Sequence, residues 1–127
     1  MENAQNMEIF KDIKGYPGYQ ISNYGRIWSC KRNRYLSPFT NNKGYKAINI
    51  IAVNGKRKCE LIHRLVALHF IDNPDNKPEV NHINHIRDDN RVENLEWVSM
   101  SENNTLGRKQ HYTHSKEWFE KRHSIII

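Results

Sequence analysis

His82 is the residue of this chain best placed to do chemistry, because of what surrounds it. The segment Val80 to Asn104 reads V-N-H-I-N-H-I-R-D-D-N-R-V-E-N-L-E-W-V-S-M-S-E-N-N, setting Asn81 beside His82 and returning Asn94 and Asn103 downstream. An imidazole with its ordinary pKa near about 6.5 is largely neutral at neutral pH and can accept a proton. Oxygen donors suit a hard divalent cation that keeps several of its waters. Together these residue types suit activating water and holding a hard metal ion against a phosphodiester.

These side chains need elements to position them. Val80 to Asn84 has the pattern of a strand, on which Asn81 and Ile83 face one way and Val80, His82 and Asn84 the other. Asn81 and His82 can serve one site only if the strand ends or bends there. Ile86 to Glu93 is polar loop, and Asn94 to Val98 a second strand with Leu95, Trp97 and Val98 as core. Ser99 and Glu102 form an S-x-x-E capping box, so a helix begins at Ser99. Asn103 then lies near its first turn, close to unpaired N–H groups and the positive end of the dipole. If that helix packs across the two strands, Asn103 approaches Asn81 and His82 and a metal can sit between them.

Upstream, Tyr19 to Ser22 and Arg26 to Ser29 read as short strands joined by Asn23-Tyr24-Gly25, with glycine supplying positive φ. Lys43 to Val53 is β-prone, and Asn54-Gly55 predicts a type I′ hairpin turn into Lys56 to Glu60. Leu61 to Asp72 changes to helical period, with Leu61, Leu65 and Leu68 and also Ile62, Val66 and Phe70 spaced for one face. Asn73-Pro74 ends it. Ser115 to His123 is a candidate short helix. The class is α+β: a small N-terminal antiparallel β-sheet, a helix, then strand, loop, strand and helix.

At 127 residues the chain fits one domain. Lys and Arg number 20 against 14 Asp and Glu, a net charge of +6, which fits a polyanionic partner such as nucleic acid and, on charge alone, a generic basic soluble protein about equally. Cys30 and Cys59 stand far apart in no C-x-x-C pair, fitting a reduced cytoplasmic setting without a disulfide framework. No apolar run approaches the roughly 18 residues of a membrane span, and MENAQNMEIF lacks the order of a signal peptide.

Residues 61 to 104, HRLVALHFIDNPDNKPEVNHINHIRDDNRVENLEWVSMSENN at their heart, resemble the HNH endonuclease family, particularly the homing nucleases of bacteriophages and mobile introns. DIKGYPGYQISNYGRIWS resembles the modular element that often precedes that nuclease core. The resemblance implies a ββα-metal core over 59–106, an N-terminal nuclease-associated element over 1–58 and a basic tail over 107–127. It implies His82 as general base, Asn94 as the brace that holds the loop and orients the histidine, and Asn81 and Asn103 as ligands of one divalent ion, magnesium or manganese. Where relatives commonly carry Asp then Gly after N-H-I, this chain has Asn84 and His85.

Double-stranded DNA is the implied partner, cut by a monomer on one strand or by a homodimer on both, in the cytoplasm of a bacterial or phage-infected cell. Arg87 and Arg91 flank the proposed site, Arg108 and Lys109 begin the basic tail, and all four are candidate phosphate contacts. Arg26 and Arg32, with Lys31 and Arg34, could grip phosphates or form a solvated hairpin face. Trp28 and Tyr24 could stack on bases or simply pack. Asp88 and Asp89 suit a hard cation or, more simply, Asx turns. His63 and His69 read as structural. The alternative to an endonuclease is a catalytically weakened DNA-binding protein retaining the scaffold; a third reading makes His82 and His85 ligands of a structural zinc.

Overall fold

A computed structural model describes residues 7–103 of the chain. The predicted helix at Ser115 to His123 and the basic tail lie outside the described residues. The first sheet is an antiparallel meander of β1 (Phe10–Asp12), β2 (Tyr19–Ser22), β3 (Ile27–Ser29) and β4 (Arg34–Leu36). A second antiparallel sheet holds β5 (Phe39–Thr40), β6 (Lys46–Ile51) and β7 (Arg57–Leu61). After α1 (Ile62–Phe70) comes a two-stranded hairpin of β8 (Glu79–His82) and β9 (Leu95–Val98), and residues 100–103 are helical.

Helix α1 is the hub, packed against β2, β6, β7, β8 and β9. Its apolar stripe supplies Ile62, Leu65, Val66 and Ala67 to a core completed by Ile21 and Ile27 of the first sheet, Ile48 and Ile50 of β6, and Val80 and Leu95 of the hairpin. Each of the Ile, Leu and Val side chains contributes roughly 1.5–3 kcal/mol by leaving water. One core therefore unites all three sheets. Leu68, expected on the packed face, is 61% exposed.

Three boundaries depart from the sequence pattern for local reasons. The helix stops at Phe70 because Ile71 is already extended and Asn73 closes the following loop, its side chain bonding both the N–H and the carbonyl of Lys77 at 2.8 Å. The β6–β7 turn is not type I′: Asn54 keeps negative φ, and only Gly55 is left-handed at +82°. Gly55 N–H donates to the Ala52 carbonyl at 2.8 Å, the pattern of a longer loop with a glycine bulge. Finally, β8 ends at His82 rather than Asn84.

Candidate active site

His82 closes β8, and the chain leaves the ladder immediately after it. His85 N–H donates to the His82 carbonyl at 2.9 Å, with His85 at φ +64°, so the strand gives way to a turn. The His82 side chain is buried on the face shared with Val80 and Leu95. Its Nε2 lies 2.7 Å from Asn90 Oδ1. An amide oxygen only accepts, so Nε2 carries the proton and Nδ1 keeps its lone pair. The pairing favours the tautomer with its proton on Nε2.

The imidazole belongs to an aromatic layer. Tyr45 stacks on His63 at 5.0 Å and on His82 at 5.9 Å, while the His63 and His82 rings lie 4.9 Å apart. Burial pushes the His82 pKa below its ordinary value and Arg87 adds to this; Asn90, Asp89 and Asp88 oppose it. His63 is driven down to about 3, chiefly by burial and then by His82 and Arg64. Burial thus favours the neutral form of both rings. His63 Nδ1 is buried with no hydrogen-bond partner among the described residues. His69 is structural, bonding the Leu65 carbonyl at 2.7 Å and accepting Lys14 N–H at 3.1 Å.

Asn94 sits in a 3₁₀ turn, Val92–Asn94, just before β9, and is fully buried. Its Oδ1 accepts Asn84 N–H at 3.0 Å, its Nδ2 donates to the Asp89 carbonyl at 2.8 Å, and its own carbonyl accepts Ile83 N–H at 2.8 Å. It thus spans the loop from both ends. The direct partner of the histidine is Asn90, which the sequence reading passed over because one more amide in D-D-N-R looks like ordinary polar loop.

Asn81 lies on the opposite face of β8. It pairs with Glu96 of β9, and its Nδ2 donates to Glu96 Oε2 at 3.0 Å in a buried contact. The buried carboxylate of Glu96 was missed too, although the hairpin register would have placed it across from Asn81. The capping box forms as the sequence implies: Ser99 N–H donates to Glu102 Oε1 at 2.9 Å and Glu102 N–H to Ser99 Oγ at 3.0 Å. Lys77, 2.8 Å away, and the Ser99 N–H hold the Glu102 carboxyl down to about 2. Asn103 is in the first turn, its N–H on the Ser99 carbonyl at 2.9 Å. Among the described residues no three His, Cys, Asp or Glu side chains converge. Asn81 and the Glu96 carboxylate set hard oxygen donors side by side, the ligand type that magnesium or manganese takes.

The basic residues divide by partner. Arg26 forms a two-pronged pair with Glu8 and lies over Tyr35 at 4.0 Å; Arg91 pairs with Asp89 at 2.7 and 2.8 Å and with Glu93 at 3.2 Å. Among the described residues Arg87 bonds a neutral acceptor, the Lys43 carbonyl, and covers Tyr45 at 4.8 Å, so it brings positive charge to the histidine layer. Arg32 joins Arg34 and Arg57 in a cleft of about 370 Å³ between β4 and β6, with Tyr19 and Tyr35 also lining it. Trp28 packs edge-on against Tyr35 at 4.9 Å. Arg108 and Lys109 lie outside the described residues.

Residues 8–51 match the NUMOD4 motif and residues 60–105 match the HNH endonuclease family. Residues 60–105 belong to the HNH endonuclease family. An uncharacterised HNH endonuclease of Acanthamoeba polyphaga mimivirus is 41% identical over 104 residues, covering 79% of this chain and 26% of that protein. The DNA endonuclease I-HmuI of Bacillus phage SP01 is 39% identical over 95 residues, covering 74% of this chain and 54% of the relative. A solved structure described as DNA binding and cleavage by the HNH homing endonuclease I-HmuI superposes with a TM-score of 0.74 at 32% identity, covering 88% of this chain and 64% of that one. The chain therefore spans about a quarter to a half of the curated relatives' length.

The two departures from the common HNH text have local explanations. Asn84 Oδ1 accepts Ile86 N–H at 2.9 Å, an Asx turn that an aspartate would make as well, and Nδ2 adds a 2.9 Å bond to Asp89. Asp89 is consequently a loop-building residue, its carboxyl held low by Arg91 first and, after an opposing burial effect, by Asn84. His85 occupies a left-handed position that glycine adopts without strain.

Proposed function

We propose that this protein is a metal-dependent DNA endonuclease that hydrolyses phosphodiester bonds, with a homing-type role. The observation that carries this reading is the buried His82 at the end of β8, its Nε2 lying 2.7 Å from Asn90 Oδ1, a pairing that leaves Nδ1 to act as the base. That arrangement falls within the HNH-matching segment, and the I-HmuI likeness supports DNA as substrate.

In this mechanism His82 Nδ1 takes a proton from water; the resulting hydroxide forms the new P–O bond, the P–O3′ bond breaks, and the 3′ oxygen is protonated by solvent. The products are 5′ phosphate and 3′ hydroxyl ends. Asn81 and Asn103 would hold a divalent ion through amide oxygens, with Glu96 adding the negative charge they lack. Such an ion supplies Lewis-acid stabilisation of the charge that grows on the phosphate. Amide oxygens are weak ligands, so affinity for metal without DNA is low. Asn94 braces the loop that carries Asn90.

For the nucleic-acid surface, the Arg32, Arg34 and Arg57 cleft and Arg87 carry charge not offset by an ion pair among the described residues. They are stronger phosphate contacts than Arg26 and Arg91. Arg108 and Lys109 extend that expectation to the tail. We assign residues 1–58 to the N-terminal element, 59–106 to the nuclease core and 107–127 to the tail. The two family matches fall within the first two of these. No helix among the described residues is long and apolar enough to cross a membrane. The phage relatives favour action in the cytoplasm of an infected cell.

The test is cleavage of supercoiled plasmid with magnesium or manganese beside His82→Ala. The wild type nicks or linearises the plasmid and the variant does not, while both bind DNA. Binding without cleavage by the wild type would leave a DNA-binding protein on a nuclease scaffold. Equal activity of the variant removes His82 as the base.

A further inference from the structure

The loop between β8 and β9 is seated on the N-terminal sheet. In the β2–β3 turn, Gly25 N–H donates to the Ser22 carbonyl at 3.0 Å, with Gly25 at φ +89°. The Asn23 carbonyl accepts Val92 N–H at 2.9 Å, across from the first sheet to the nuclease loop. Asn23 is itself fastened, its side chain accepting Ile9 N–H at 2.7 Å and donating to the Met7 carbonyl at 3.0 Å. Gly25 comes so near Asn90 that a β-carbon on it would lie 2.9 Å from Asn90 Cβ and 3.3 Å from the Asn90 carbonyl oxygen. Only a residue without a side chain admits Asn90 at that distance. Asn90, 6% exposed, then holds His82 Nε2.

We propose that the β2–β3 turn of the N-terminal element is a positioning device for the nuclease base: Gly25 and Asn23 seat Asn90, and Asn90 fixes the Nε2–H tautomer of His82. This rests on His82 being the base. The NUMOD4-matching segment is thereby part of the active-site scaffold in addition to any contact it makes with DNA. Gly25 touches no reacting atom and acts through two intermediaries, so it and Asn90 are positioning residues. Without the Asn90 oxygen, the ring is free to carry its proton on Nδ1, where the lone pair is needed.

The imidazole ¹⁵N resonances of His82 in the full 127-residue chain, without DNA or metal, report the tautomer directly. The wild type should show a protonated Nε2 and an unprotonated Nδ1. Asn90→Ala and Gly25→Ala should each give mixed tautomers. Their kcat for plasmid cleavage should fall about 10–100-fold, with DNA affinity unchanged within about twofold. Gly55→Ala is the control, because Gly55 is also left-handed at φ +82° but has no neighbour within 4 Å of an added β-carbon. It should lose thermal stability yet keep the wild-type tautomer. The double variant Gly25→Ala/Asn90→Gly should regain stability over Gly25→Ala without regaining the tautomer. A retained Nε2–H in Asn90→Ala overturns the proposal, as does a Gly25→Ala spectrum matching Gly55→Ala. If Gly25→Ala does not fold, Asn90→Ala decides. Cleavage by His82→Ala removes the base assignment separately, since the tautomer is read without catalysis.

Discussion

Replacing Asn94 with alanine should be among the most damaging single changes in the nuclease loop. Its side chain is completely buried and makes two hydrogen bonds to main-chain groups, Asn84 N–H at 3.0 Å and the Asp89 carbonyl at 2.8 Å. Truncation leaves both groups without this partner at residues that are only partly accessible to water. Each orphaned group costs about 1–3 kcal/mol, and partial solvation places the pair near the lower half, about 2–4 kcal/mol together. That is a large share of the roughly 5–15 kcal/mol that stabilises a domain of this size. In urea unfolding the midpoint should fall by about 1–2 M with an unchanged m-value. Asn94→Asp keeps the acceptor for Asn84 N–H but turns a second oxygen toward the Asp89 carbonyl, so it should also destabilise and lower cleavage. An Asn94→Ala protein within about 0.5 kcal/mol of the wild type would mean the brace contributes nothing beyond an ordinary surface side chain, refuting the reasoning.

His85→Gly should stabilise the protein by about 0.5–1 kcal/mol, because a left-handed histidine costs roughly 1–2 kcal/mol and glycine returns part of this as unfolded-state entropy; a lower melting temperature would contradict it. Asp89 titrates below its ordinary carboxyl value, first through Arg91. Its contribution is therefore present above the unfolded pKa near about 4 and lost as pH falls through the depressed folded value. Asp89→Asn should flatten that acid limb in urea midpoints measured across it, and an identical limb would exclude the Arg91 pair as its source. In DNA binding, Arg32→Ala and Arg57→Ala should each reduce the slope of log K against log salt by about 1. Arg26→Ala should change it far less, because Glu8 already offsets that charge; equal slopes for all three would dissolve the distinction.

The strongly patterned pieces were legible from sequence: the helix now bounded at Ile62–Phe70, the β2–β3 turn with Gly25 at positive φ, and the reciprocal Ser99–Glu102 cap. Each is specified by neighbours in the chain. Strands β1, β4 and β5 were not, because Phe10–Asp12, Arg34–Leu36 and Phe39–Thr40 are two or three residues long and mostly exposed. A strand that buries so little leaves no alternating signature, and its partners alone define it. The candidate site divides the same way. His82 and Asn94 stand out by type and spacing. Asn90 gains its place only because Gly25, 65 residues earlier, leaves room for it, and Glu96 matters only once the register sets it across from Asn81. Long-range packing carries no local text.

Strand alternation predicts that Asn81 and His82 point apart, and they do. His82 shares its face with Leu95, Tyr45 and His63, whereas Asn81 shares the other face with Glu96. Adjacent side chains with separate neighbours can act on one phosphate only where no ladder continues between the faces. That condition holds where β8 stops at His82: its last pair is His82 with Leu95, and β8 pairs with no strand except β9 among the described residues. The left-handed His85 turn, the Asx turn at Asn84 and the Asn94 brace all act at this termination. The loop chemistry that departs from the family text is thus concentrated where the two faces meet. On the proposed roles, lengthening β8 by a residue would separate the proposed base from the proposed ligands without removing either, so loop variants should lose kcat before they lose metal or DNA affinity.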